Sequence, residues 1–257
     1  MKKIILFLLF LQLSVSSVNA SEVTHDFKVF LGPFSAAQTT FTYSLSPTQY
    51  GVTSSVKTAG VFDTLYPFKA DYHTSGKIKN NSFETSKYHY KSQSRFNRRH
   101  KELIYNEQGL PIYRISSKND KEKKVKLEPS PNHKGTTDLQ TVMAELAFQY
   151  NTFKFCDSRM QVFDGKRRYD VIFKDEGKEE IFANEYSSYS GYATKCSMYI
   201  DKLASQGDDL LWELTSERPI YFWILEQQNK PFIARINIKE TPLGELNVYT
   251  TNVNIKD

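Results

Sequence analysis

The chain has 257 residues, 34 of them Lys or Arg and 29 Asp or Glu, for a formal net charge of +5. That excess is too small to point to a nucleic-acid partner, and the length suffices for one sizeable domain with its own core. With 18 Phe and 16 Tyr against 11 Gly and 9 Pro, the composition favours sheet.

The first twenty residues read as a secretory leader. Lys2 and Lys3 precede an apolar run from Ile4 to Leu13, broken only by Gln12, and Val18-Asn19-Ala20 sets small side chains where a signal peptidase cuts. The run is too short to span a bilayer, and no Cys follows the cut to carry a lipid anchor. Residues 21–257 are therefore expected as one exported β-rich domain, periplasmic and not membrane-spanning.

From Phe27 to Arg114 the apolar residues mostly recur at every second position. Phe27, Val29 and Leu31 form one such set, and Phe41, Tyr43 and Leu45 another; after a turn at Ser46-Pro47 come Tyr50, Val52 and Val56. This period marks strands with one buried and one wet face. Val61–Tyr66, between Gly60 and Pro67, reads as a short helical plug or a connection. Strands resume at Lys69–Thr74 and, after a turn at Ser75-Gly76, at Lys77–Phe83. Residues 118–135 are charged, then Pro-rich, and read as a mobile loop.

One helix is expected near 137–149. Thr137 and Gln140 have capping-box spacing, and Leu139, Val142, Met143, Leu146 and Tyr150 make one apolar stripe, read as core. Strands then return. Met160 and Val162 lead into an Asp164-Gly165 hairpin turn, followed by Tyr169, Val171 and Phe173. Later strands are expected at Tyr192–Ile200, Tyr221–Glu226, Phe232–Ile238 and Leu246–Ile255. The fold class is all-β, mainly antiparallel, with about 10–12 strands curled into a barrel, half-barrel or sandwich, and one packed α-helix.

Cys156 and Cys196 are the two cysteines of the chain. In an oxidising compartment a lone pair is most simply a disulfide; a redox or metal role lacks CxxC spacing and a nearby His.

Two clusters are candidate binding sites. Lys87 to Lys101 holds six Lys or Arg and two His with no carboxylate until Glu102. Read as one strand, it sets Lys87, His89, Lys91, Arg95, Arg99 and Lys101 on a single cationic face. Such a face would attract lipid headgroups, phosphorylated glycans or an acidic protein; the plainer reading is a wet face whose charges discourage edge pairing. Tyr186, Tyr189, Tyr192 and Tyr199, with Trp212 and Trp223, would line a sugar or lipid site, or else belong to the core.

The chain has no GxSxG elbow, HExxH helix or P-loop, and its five histidines lack metal-ligand spacing. No cofactor, metal or nucleic acid is called for. The expected function is a non-catalytic envelope protein that binds an amphipathic ligand, lipid or glycolipid, in a continuous apolar cavity. One alternative is an interaction module docking an acidic envelope partner through the basic face. Another is an envelope polysaccharide hydrolase, which needs two converging carboxylates.

Three stretches resemble a known family. QVFDGKRRYD at 161–170 follows a helix resembling 138–148, GYATKC at 191–196 fits a G-x-A-x-x-C pattern, and GVFDTLY at 60–66 precedes a strand carrying Tyr72 and Gly76. Together, over roughly 38–253, they resemble the bacterial envelope family called domain of unknown function 3108. The resemblance implies an exported, mainly antiparallel β protein and brings no active site with it.

Overall fold

The structure, a computed structural model, describes residues 21–128, 130, 133, 135–204, 218–241 and 243–256. The expected leader and Trp212 lie outside the described residues.

Two antiparallel meanders make up the fold. The first runs through β1 (Ser21–Leu31), β2 (Phe34–Leu45), β3 (Gln49–Thr58), β4 (Phe68–Lys79), β5 (Ser82–Ser94), β6 (Arg98–Tyr105), β7 (Pro111–Lys118) and β8 (Lys121–Lys126). The second runs through β9 (Ser158–Phe163), β10 (Arg168–Ile181), β11 (Gly191–Ala204), β12 (Ile220–Gln227), β13 (Lys230–Ile238) and β14 (Leu246–Lys256). The last strand, β14, pairs with the first, so both meanders merge into one curled sheet of 14 strands with β8 and β9 at its edges. A short helix, α1 (Gly60–Leu65), joins β3 to β4, and α2 (Leu139–Phe153) joins the meanders. Among the described residues no helix is long and apolar enough to cross a membrane.

The strand count exceeds the sequence expectation because tight turns hide in polar runs. Asn80-Asn81, Asn119-Asp120 and Gln228-Asn229 all have positive φ, as two-residue hairpin turns matching the twist of their strands require. The second of these folds 118–126 into a hairpin, so the expected mobile loop is ladder over half its length. The expected turn at Ser75-Gly76 is instead a register shift inside β4. Gly76 is needed there: a Cβ would stand 2.2 Å from the Glu84 carbonyl and 2.4 Å from the Tyr50 ring.

Helix α2 starts two residues later than expected and ends four residues later. Its cap is Asp138, not Thr137: the carboxylate accepts the amides of Gln140 and Thr141. Lys154, left-handed at φ 62°, closes the last turn by donating its N–H to the Tyr150 carbonyl. The stripe Val142, Leu146 and Tyr150 packs on Val162, Val171, Phe173, Phe222 and Ile224 of the second meander. Ala144 packs with Val23, Tyr43, Val52 and Phe83 of the first. The helix therefore fills the interior of the curl, and burial of its large apolar side chains contributes about 1.5–3 kcal/mol each. Just beyond it, Cys156 forms a disulfide with Cys196 on β11, Cα atoms 6.2 Å apart.

The two sheet edges are treated differently. Thr137 bridges to β9, donating to the Gln161 carbonyl at 2.9 Å and accepting from the Phe163 amide at 3.0 Å. The β9–β10 turn then reaches the first meander, where Arg114 Nη1 donates to the Gly165 carbonyl at 2.9 Å. At the other edge β8 carries Lys121, Glu122, Lys123, Lys124 and Lys126, charges that oppose pairing with another chain.

Candidate functional site

Where the β9–β10 turn meets the first meander, the inner side of the curl opens to solvent in a cleft of about 580 Å3 beside the first turn of α2. Phe41, Leu103, Leu139 and Met143 supply apolar walls, and Tyr72, Tyr88 and Tyr169 add aromatic faces with hydroxyls. Burial pushes the Tyr72 hydroxyl up to about 12 and those of Tyr88 and Tyr169 higher still. All three remain neutral donors at physiological pH.

One end of the cleft is charged. Lys101 Nζ lies 3.7 Å from Asp164 Oδ2, which also accepts Arg167 Nε at 2.8 Å. Burial alone would raise the Asp164 carboxyl, but Lys101 and Arg167 outweigh it and hold the group below its ordinary value. Burial lowers Lys101 against the pull of Asp164. Two cations on one carboxylate leave this end positive, and the Lys101 ammonium stands 5.9 Å from the Tyr88 ring centroid. Apolar wall, hydroxyl donors and a cationic end together suit a ligand with one polar or anionic end.

Beneath the cleft lies a buried polar network. Asp138 accepts the hydroxyls of Thr74 at 3.0 Å, Thr141 at 2.6 Å and Thr85 at 3.2 Å in addition to its two capping amides. Thr85 also bonds Thr137 at 2.7 Å, and Tyr50 bonds Thr141 at 2.9 Å. Burial pushes the Asp138 carboxyl up, and the donors only partly offset it. Gln140 accepts from Thr74 and donates to Ser54 Oγ at 2.6 Å, which ties the cleft wall to this network.

The candidate residues read from sequence do not converge. Lys87 to Lys101 is a hairpin, not one strand, with Arg95 in its turn. The register pairs Lys91 with His100 and Tyr90 with Lys101. Lys87 and Lys91 therefore share one face with Arg98 and His100, while Arg99 and Lys101 fall on the opposite face with Ser92 and Tyr90. The single cationic face is thus corrected to two, and of its members Lys101 lines the cleft. The aromatic candidates are also dispersed. Tyr186 packs on Phe30 and Tyr249, and Tyr189 on Phe232. Tyr192 is exposed, and Trp223 is buried with Lys195 and Arg235 over its ring. Sequence reasoning missed Tyr72, Tyr88, Asp138, Arg167 and Tyr169 as cleft residues. The Asp164-Gly165 turn is legible as a hairpin, but nothing local shows that it meets β6. Among the described residues no three His, Cys, Asp or Glu side chains converge as metal ligands would.

A second, apolar cavity of about 30 Å3, room for one water, lies between α2 and His25, Tyr43, Ile224 and Phe232. His25 is boxed by the rings of Phe27, Phe41, Tyr43 and Phe232, with neither ring nitrogen hydrogen-bonded among the described residues. Burial pushes it down to about 4 against the pull of Asp26. On α2, burial pushes Glu145 up to about 7. The two act on stability with opposite signs. Between pH 6.5 and about 4 the unfolded chain binds a proton at His25 that the native state refuses, so stability falls as pH falls. Between pH 4.5 and about 7 the native state holds a proton on Glu145 that the unfolded chain has lost, so stability falls as pH rises. Urea unfolding of the wild type should be nearly flat with pH where the windows overlap. His25→Phe should leave a loss toward neutral pH and Glu145→Gln a loss toward acid, each roughly 2 kcal/mol after screening is discounted. Variant profiles parallel to the wild type would refute both assignments.

A family profile described as "Protein of unknown function (DUF3108)" matches residues 26–251. No curated protein is recognisably similar to the chain. Among solved structures it is similar to the crystal structure of a β-barrel-like protein of domain of unknown function DUF1849 from Brucella abortus. The TM-score is 0.50 at 8% identity, over 93% of this chain and 99% of that one. At that identity the likeness concerns the fold alone.

Proposed function

The chain belongs to the DUF3108 family, and we propose that it is an exported, non-catalytic envelope protein that binds an amphipathic ligand, lipid or glycolipid, at the mouth of its curled sheet. The observation that carries this reading is the lining of the cleft: apolar walls, three tyrosine hydroxyls and the Lys101–Asp164–Arg167 group at one end. The interior is not the continuous apolar cavity expected of a carrier that swallows its ligand, because α2 occupies it and leaves about 30 Å3. The ligand's polar end and the first part of its apolar portion would lie in the cleft, with the remainder outside.

Export rests on the leader-like first twenty residues and agrees with the Cys156–Cys196 disulfide. The test is native mass spectrometry of protein purified from its own cell envelope, followed by organic extraction. A near-stoichiometric lipid or glycolipid is expected on the wild type, and Met143→Trp, which narrows the cleft, should lower its occupancy by about tenfold. A wild type that is consistently ligand-free would reject the reading.

A further inference from the structure

A different part of the molecule carries an interaction surface. The β1–β2 turn, α1, the β5–β6 turn, the β7–β8 turn and the β13–β14 loop all lie at one end of the sheet. Hydrogen bonds run along this rim from element to element: Gly32 N–H donates to the Glu245 carbonyl, Ala59 N–H to the Ala36 carbonyl, and Asn119 Nδ2 to the Phe96 carbonyl. Among the described residues six of the ten exposed large apolar side chains sit here, so their exposure is localised rather than scattered. They are Phe34, Val61, Leu65, Tyr66, Phe96 and Leu243, the last 74% exposed and Tyr66 and Phe96 72%.

Directly behind these tips the strand ends set like charges opposite one another. Lys57 pairs with Lys69, and the next two partners along that row are Gln93 and Arg98. In a neighbouring row Arg99 faces Lys118, which faces Lys121. Arg98 is already paired with Asp120, but among the described residues Lys57, Lys69, Arg99, Lys118 and Lys121 make no ion pair. Directly opposed like charges destabilise a sheet, so these five call for an anionic counterpart supplied from outside. Apolar tips in front of a band of cations are the arrangement that suits a lipid–water interface, where tips enter the headgroup zone and cations meet phosphates.

We propose that this rim docks the protein onto the surface of an anionic phospholipid bilayer. Neither residue row contributes to the cleft, so the two proposals stand or fall separately. The test is co-sedimentation of the protein with vesicles of equimolar phosphatidylcholine and phosphatidylglycerol, beside vesicles of phosphatidylcholine alone. The wild type should partition onto the anionic vesicles, less so at high salt, and weakly onto the neutral ones. The triple variant Leu65→Ser, Tyr66→Ser, Phe96→Ser and the triple variant Lys57→Glu, Lys118→Glu, Lys121→Glu should each partition at least about tenfold less, since one cation near such a surface is worth roughly fivefold. All six side chains are exposed, so the variants should keep the wild-type unfolding midpoint. Met143→Trp should bind vesicles as the wild type does, whatever becomes of the cleft ligand. A wild type left in the supernatant with anionic vesicles overturns the proposal and makes a protein the better occupant. Variants of both kinds that partition like the wild type overturn it equally.

Discussion

The double variant Cys156→Ala, Cys196→Ala should lose about 4 kcal/mol of unfolding free energy, the largest single effect expected in this molecule. The bridge closes a sequence separation of 40, and chain-entropy loss in the unfolded state scales with the logarithm of that length. Its position adds a local consequence. Cys156 lies three residues past the end of α2 and Cys196 on β11, so the closed loop contains the whole β9–β10 hairpin. That hairpin's turn carries Asp164 and Arg167 and touches the first meander through Gly165. Both cysteines are fully buried, and Ala leaves little void. Urea unfolding of the variant beside the oxidised wild type measures the loss directly, and the variant's cleft side should exchange amide hydrogens faster than its β1–β4 region. A cost below about 1 kcal/mol would mean that the unfolded chain already keeps these segments together.

Replacing Asp138 by Ala should lower stability by about 3 kcal/mol. About 1 kcal/mol comes from the lost helix cap. The remainder comes from the buried hydroxyls of Thr74, Thr85 and Thr141, which lose the acceptor they share. Thr85 and Thr141 keep second partners in Thr137 and Tyr50, which limits the penalty. Asp138→Asn keeps one acceptor oxygen and should cost less than half as much. Because burial raises the Asp138 carboxyl, the Ala penalty should not grow toward alkaline pH. Equal losses for Ala and Asn would show that charge, not hydrogen bonding, matters here. Since Gln140 links this network to Ser54, the Ala variant should also weaken cleft occupancy.

Much of the fold was legible because it is written in neighbouring residues. Alternation such as Phe41-Thr42-Tyr43-Ser44-Leu45 states which side of β2 is buried. Asp164-Gly165 states a turn, and Gly165 has φ 84° with the Asp164 side chain accepting the amides of Lys166 and Arg167. The α2 stripe marked core, and the two cysteines paired as expected. Where the reading missed, the signal was weak by nature. Asn119-Asp120 makes a hairpin turn inside a run of Lys and Glu that has no apolar period to announce strands. Asp138 took the cap from Thr137 because Thr137 is spent on β9.

The cleft lay beyond that kind of reading. Three turn residues between β5 and β6 set a register in which odd positions of one strand share a face with even positions of the other, so Lys101 left the face of Lys91 and joined Tyr90. The cationic rows at the rim arise likewise, from residues that meet only across paired strands. By itself the sequence determined the antiparallel β class, the central helix and the disulfide, since period, turn chemistry and cysteine pairing each act over short or unique spans. The tertiary structure alone decided which faces meet, because register and curl depend on turn lengths and bulges summed around the sheet, and a shift of one residue sends every side chain to the other side.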